Sequence, residues 1–167
     1  MTAVEATISN VQATLEDYAH RGVFQKFSVA TADRGKAKQE QQVSFNFRWL
    51  CEDNFRVILN PTKNTLELHE VLPAAPFRSE IDQAFRDFLK QRTDKSIPEH
   101  RRLDDQRFSF KCSNKNQKLS IRINFNSGDE QAAAKTAVNL YHEIFNHFLM
   151  DGPYQNYMIE HFGISEE

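Results

Sequence analysis

Between residues 43 and 51 the chain alternates strictly. Val43, Phe45, Phe47, Trp49 and Cys51 fall on one phase, and Ser44, Asn46, Arg48 and Leu50 on the other. Successive side chains of a strand point to opposite faces, so this pattern predicts a strand with one dry face and one wet face. That is the usual signature of an antiparallel sheet. Neighbouring segments extend it. A strand is expected over 23–31, with Val23, Phe27 and Val29 on one face, and residues 33–40 read as a polar hairpin tip. A tight turn at 52–54 leads into Phe55, Val57 and Leu59, and a turn at 60–64 into a fourth strand carrying Leu66 and Leu68. A second hairpin follows, with Phe108, Phe110 and Cys112 facing Leu119, Ile121, Ile123 and Phe125 across a tip at 113–117.

Helical periodicity fills the rest. Val4, Ile8, Val11, Leu15 and Tyr18 make one stripe over 3–19, with Thr2 and Glu5 placed as a capping box and Gly22 as a stop. A second helix is expected from Pro76 as its first position to about Gln91, with Phe77, Ile81, Phe85, Phe88 and Leu89 on its inner face. Residues 93–105 read as a polar loop. A long helix over 129–150 places Ala133, Ala137, Leu140, Tyr141, Ile144, Phe145 and Phe148 inward, and Gly152-Pro153 ends it before a short tail helix. The expected fold is α+β in two layers. An antiparallel sheet of about six strands carries three or four helices mainly on one face, in the order α-ββββ-α-ββ-α-α.

At 167 residues this is one domain, 1–167, with 152–167 set apart as a tail or interface helix. Phe outnumbers Leu, 14 to 11. Such a surplus suits either base-stacking aromatics or a dense core, and the strand phases favour the core. With 5 Gly and 5 Pro, Gly-rich phosphate cradles and collagen-like repeats are excluded. The net charge of −2 and pI near 6.3 give no bulk electrostatic drive toward nucleic acid or membrane. No signal-peptide pattern and no run of membrane-spanning length occurs, which leads to the expectation of a cytoplasmic protein with Cys51 and Cys112 as reduced, inert thiols.

Catalytic and metal patterns fail on spacing. His142-Glu143 is followed by His147 at i+5 rather than i+4, which turns the two imidazoles about 140° apart on a helix. Glu143 and His147, at i and i+4, are expected to be a solvated helix face or a weak pair. His20, His69, His100 and His161 are isolated, and Asp94, Glu99, Asp104 and Asp105 sit in polar context with nothing apolar to raise a carboxyl pKa. No GxSxG, Walker A or GxGxxG motif occurs. The expectation is a non-enzyme with no cofactor and no metal.

One asymmetry rises above background. On strand positions opposite the Phe stripe lie Lys26, Arg48, Arg56, Arg107, Lys111 and Arg122, against chiefly Glu67, while the compensating acids lie on helices and termini. With the helices on one side, the open sheet face would be basic and suited to an acidic peptide or a phosphate backbone. Solvated Lys and Arg over a sheet are the ordinary alternative. A second candidate surface is the tail, where Tyr154, Tyr157, Met158 and Phe162 are more apolar than a terminus needs and suit an interface.

The element order resembles the type III secretion chaperone-like fold, α-βββ-α-ββ-α, over residues 4–18, 23–68, 77–89, 108–125 and 133–148. No residue-level motif accompanies the match. The chain departs from it in an extra meander strand and in lacking the distinctly acidic composition of those chaperones. The resemblance implies a small cytoplasmic homodimer that binds an extended segment of another protein. The leading expectation is therefore a non-catalytic, chaperone-like protein-interaction module. An anion or nucleic-acid-backbone binder on the basic face stands second, and a small-ligand pocket protein or enzyme third.

Overall fold

The computed structural model describes residues 2–33, 41–49, 53–72, 75–99 and 101–150. The chain runs α1 (Ala3–His20), β1 (Gln25–Asp33), β2 (Gln41–Trp49), β3 (Asp53–Asn60), β4 (Thr65–Leu72), α2 (Glu80–Gln91), β5 (Ser109–Lys115), β6 (Lys118–Asn124) and α3 (Glu130–Ile144), which continues as a π-helical segment, Phe145–Met150. The six strands form one sheet in the order β1-β2-β3-β4-β6-β5, and every neighbouring pair is antiparallel. The α+β architecture expected from periodicity is the one observed. None of the described helices is long and apolar enough to cross a membrane. Cys51, His100 and the tail positions Tyr154, Tyr157, Met158 and Phe162 lie outside the described residues.

Register explains why one face is dry. Val29 lies opposite Phe45, Phe45 opposite Val57, Val57 opposite Leu68, Leu68 opposite Ile121, and Ile121 opposite Cys112. This apolar row crosses the whole sheet, and its central residues Phe45, Val57, Leu68 and Ile121, together with Val11, Leu15, Phe85, Leu140 and Phe148 of the helices, belong to a single buried core, while Val29 at the β1 edge stays exposed. Phe45, Phe85 and Phe148 are fully buried, each contributing about 1.5–3 kcal/mol. The adjacent row, one residue along, is Ala30, Ser44, Ile58, Glu67, Arg122 and Lys111. It faces away from the helices.

Several boundaries differ from the sequence expectation, among them β3, which begins at Asp53 inside the expected turn, and the second hairpin, whose strands run to Lys115 and from Lys118 and leave a two-residue tip. β1 begins at Gln25, two residues late, and a register shift between Gln25 and Ser28 marks a bulge in which Lys26 has φ 53°. α2 starts at Glu80 rather than Pro76. Ser79 caps it by accepting a hydrogen bond from Asp82 N at 3.3 Å, and Arg78, at φ 62°, cannot belong to a right-handed helix. Phe77 therefore leaves the helical stripe and is 63% exposed beneath the Arg78 guanidinium. The long C-terminal helix changes from α to π geometry after Ile144.

The sheet also splits. β3 and β4 pair from Val57/Leu68 to Asn60/Thr65 and no further. Beyond that point β3 stays with β2, while β4 stays with β6 around a second bulge between Leu68 and Leu72, where Glu70 has φ 51°. Tyr141 of α3 fills the opening from the core side. Its hydroxyl donates to the Arg56 carbonyl at 2.8 Å and accepts a backbone hydrogen bond from His69. Burial pushes its phenol pKa up, so it remains a protonated donor.

Candidate functional site

The face of the sheet away from the helices is polar and open. At its centre β2 and β3 place Asn46 opposite Arg56 and Arg48 opposite Asn54. Each arginine is held by the amide across from it. Arg56 Nε donates to Asn46 Oδ1 at 3.0 Å, and Arg48 Nε donates to Asn54 Oδ1 at 3.4 Å. The arrangement is reciprocal, so both guanidinium groups are oriented while their terminal N–H groups stay available. An amide orients a cation but does not neutralise it. Among the described side chains no carboxylate lies within ion-pair distance of Arg48, Arg56 or Lys26.

Among the described side chains of this face, the acids lie on β4. His69 Nδ1 lies 2.9 Å from Glu67 Oε2, and its Nε2 lies 3.5 Å from Glu70 Oε1. Glu70 also meets Lys118 Nζ at 3.6 Å, and Glu67 meets Arg122 at 3.9 Å. The β4 bulge is what brings Glu70 here: its backbone N–H donates to Ser120 Oγ at 2.9 Å instead of continuing the strand register. Two grooves flank this acidic cluster. One, of about 510 Å³, crosses from Lys26 and Ser28 on β1, past the Arg–Asn pairs, to His69 and Glu70. The other, of about 420 Å³, is bordered by Glu67, Glu70, Lys115, Lys118 and Arg122.

The two edges of the sheet differ. β2 is the only strand neighbour of β1 among the described residues, and the stretch from Phe27 to Thr31 carries no charge. Val29 is 40% exposed there. At the other edge α2 is tied to the backbone of β5. Arg86 Nη1 donates to Cys112 O at 3.3 Å, and Asn114 donates to Ala75 O at 2.6 Å and to Asp82 at 2.9 Å. Burial pushes the Cys112 thiol up to about 11, which leaves it un-ionised at neutral pH.

Of the basic residues singled out in the sequence, Lys26, Arg48 and Arg56 gather at one groove and Arg122 borders the other, with Lys111 directly across from Arg122. Arg107 stands apart. It precedes β5, and its Nη2 donates to Asp129 Oδ1, the N-cap residue of α3, at 2.7 Å. His69, expected to be isolated, instead sits between Glu67 and Glu70, and Asn46, Asn54, Glu70 and Lys118 are further residues of the site that the sequence reading misses. The Asn–Arg pairs carry a partial signal: the alternation at 43–51 puts Asn46 and Arg48 on the open phase, but β3 begins at Asp53, inside the expected turn at 52–54, so their partners follow only from the observed register. The bulge that turns Glu70 carries none.

Glu143 is a correction. It is not on a solvated face but buried, with Arg92 Nη1 at 2.8 Å, Arg101 Nε at 2.9 Å and His147 Nε2 at 3.5 Å. Burial raises its pKa, but hydrogen bonding and charge from Arg101, then Arg92 and His147, outweigh that and hold the carboxyl below its usual range. His147 faces this cluster, whereas His142 stacks on Trp49 and bonds Asn146. No group of three His, Cys, Asp or Glu that could hold a metal ion occurs among the described residues. No family model, curated protein or solved structure matches the chain.

Proposed function

We propose that this chain is a non-catalytic protein-interaction module that takes up an extended polypeptide segment as an added strand on β1. The observation that carries this reading is the bare β1 edge. It presents nine residues of strand backbone, uncharged from Phe27 to Thr31, with no second strand beside it among the described residues. Proteins that keep such an edge unpaired usually blunt it with Lys, Pro or a covering element. Here the far edge is tied to a helix, whereas on β1 the bulge at Lys26 sits at one end and leaves Phe27 to Thr31 in regular register with β2 from Ser28 on. Strand addition would supply main-chain hydrogen bonds to β1 and let alternate side chains of the guest meet Val29 on one face and the polar open face on the other. The element order shared with the chaperone-like fold supports the same kind of guest.

Selection from a random peptide library, followed by amide hydrogen exchange on the selected complex, tests the reading. The expected result is peptide-dependent protection of amides between Phe27 and Thr31. Selection of no peptide, or protection that spares β1, overturns it. A second copy of this chain is the competing occupant. A dimer by light scattering whose β1 amides are protected without peptide assigns the edge to self-pairing and overturns the polypeptide guest.

A further inference from the structure

We infer that the groove of about 510 Å³ on the open sheet face is a binding site for a compact dianionic oxyanion, a phosphate or phosphomonoester group, held by Arg48, Arg56 and Lys26. The inference goes beyond the strand-addition reading and does not depend on it.

Three observations converge on this groove. The first is the charge state of the arginines. Arg48 and Arg56 are fixed through Nε by neutral amides, so their position is set and their charge is unspent. A carboxylate would have offset that charge, as Glu143 does in part for Arg92 and Arg101. Guanidinium groups with free N–H edges match the geometry of oxyanions. One carboxylate brings two oxygens and a single charge, whereas a tetrahedral dianion, with more oxygens and two charges, can engage two guanidiniums and an ammonium together.

The second is where the backbone is strained. Lys26 and Glu70 are the two residues with positive φ inside strands β1 and β4, and both line this groove. A non-glycine residue in that region costs on the order of 1 kcal/mol, and bulges re-aim side chains at sites of function. One bulge delivers a cation to the groove. The other delivers Glu70, whose carboxylate is met by the Lys118 ammonium at 3.6 Å.

The third is shape. The volume falls within the roughly 300–1,000 Å³ of small-molecule sites, which leaves room for the carrier of the phosphate as well as the group itself. The acids on β4 bound the cationic area, and a polynucleotide backbone continuing along the face would run over Glu67 and Glu70. Readers of single-stranded nucleic acid also stack bases on aromatic side chains. Here Phe45 and Phe47 turn into the core.

Titration calorimetry on the full chain provides the test, with inorganic phosphate, ribose 5-phosphate, a nucleoside monophosphate and a short oligonucleotide as probes, at about 50 mM salt. Saturable binding of phosphate or a monoester is expected, and the arm that binds tightest tells free phosphate from a phosphorylated small molecule. Arg48→Gln with Arg56→Gln should weaken binding about a hundredfold, on the order of tenfold for each guanidinium. Asn46→Asp with Asn54→Asp keeps both arginines but neutralises them, and should abolish binding to the same degree. Lys111→Gln, on the same face but outside the groove, should bind as the wild type does. Absence of saturable binding, undiminished binding by either double variant with an unchanged melting curve, or binding of the oligonucleotide alone overturns the site.

Discussion

Arginine is held in two ways in this molecule, on opposite sides of the sheet. On the helical side Arg92 and Arg101 converge on one buried carboxylate, Glu143, at 2.8 and 2.9 Å. The pairs join α2 and the following loop to α3 across 51 and 42 residues of sequence. On the open side Arg48 and Arg56 lean on Asn54 and Asn46 across a single hairpin. The first arrangement consumes charge in order to close the fold. The second displays charge on a surface the fold already holds rigid. The same residue type is structural where an acid meets it out of water, and disposable to stability where an amide meets it in water.

That contrast can be broken by measurement. Glu143→Gln leaves two arginines facing a neutral group in a buried setting and should cost about 3 kcal/mol at neutral pH, read from the urea midpoint. A cost below about 1 kcal/mol would place this network with ordinary surface pairs. Its pH dependence sharpens the point. The Glu143 carboxyl is held below its unfolded range, so its stabilisation is complete above that range and is lost as pH falls through the folded value. Glu143→Gln should therefore flatten the acid limb of the stability profile, whereas Arg48→Gln should leave it unchanged.

Smaller effects follow at the sheet split and on the open side. Tyr141→Phe leaves the Arg56 carbonyl without its donor in the sheet split and should cost about 1–2 kcal/mol by urea denaturation. Lys26→Gly relieves a positive φ and should stabilise by about 0.5 kcal/mol, visible as a higher melting temperature. Arg48→Gln and Arg56→Gln should each change stability by less than about 0.5 kcal/mol. A larger loss from either would mean that the Arg–Asn pairs hold β2 to β3.

Much of this architecture can be read in the alternation at 43–51 and in the helical stripes, because periodicity reports which face meets water. Where local chemistry competes with periodicity, reading fails. Phe77 continues the stripe of Phe85 and Phe88 in sequence, yet Ser79 is the better cap and Arg78 turns the chain before it. Glu143 looks like half of a surface pair because its true partners are far away in sequence. Arg107 shares the phase of Lys111, but the strand begins after it and Asp129 claims it. Glu70 is off phase in sequence and on phase in space because of one bulge.

The inequality of the two sheet edges sets a valence. A strand that joins this sheet has β1 to join, while at β5 the carbonyl of Cys112 is already engaged by Arg86 and the end of the strand by Ala75 and Asp82. Growth by edge pairing then ends after one step. Two sheets can meet β1 to β1, or one sheet can take one guest, but neither product offers a fresh β1 for the next arrival. The geometry favours closed pairs over fibres, even though the chain carries a nine-residue strand at its border that is uncharged from Phe27 to Thr31.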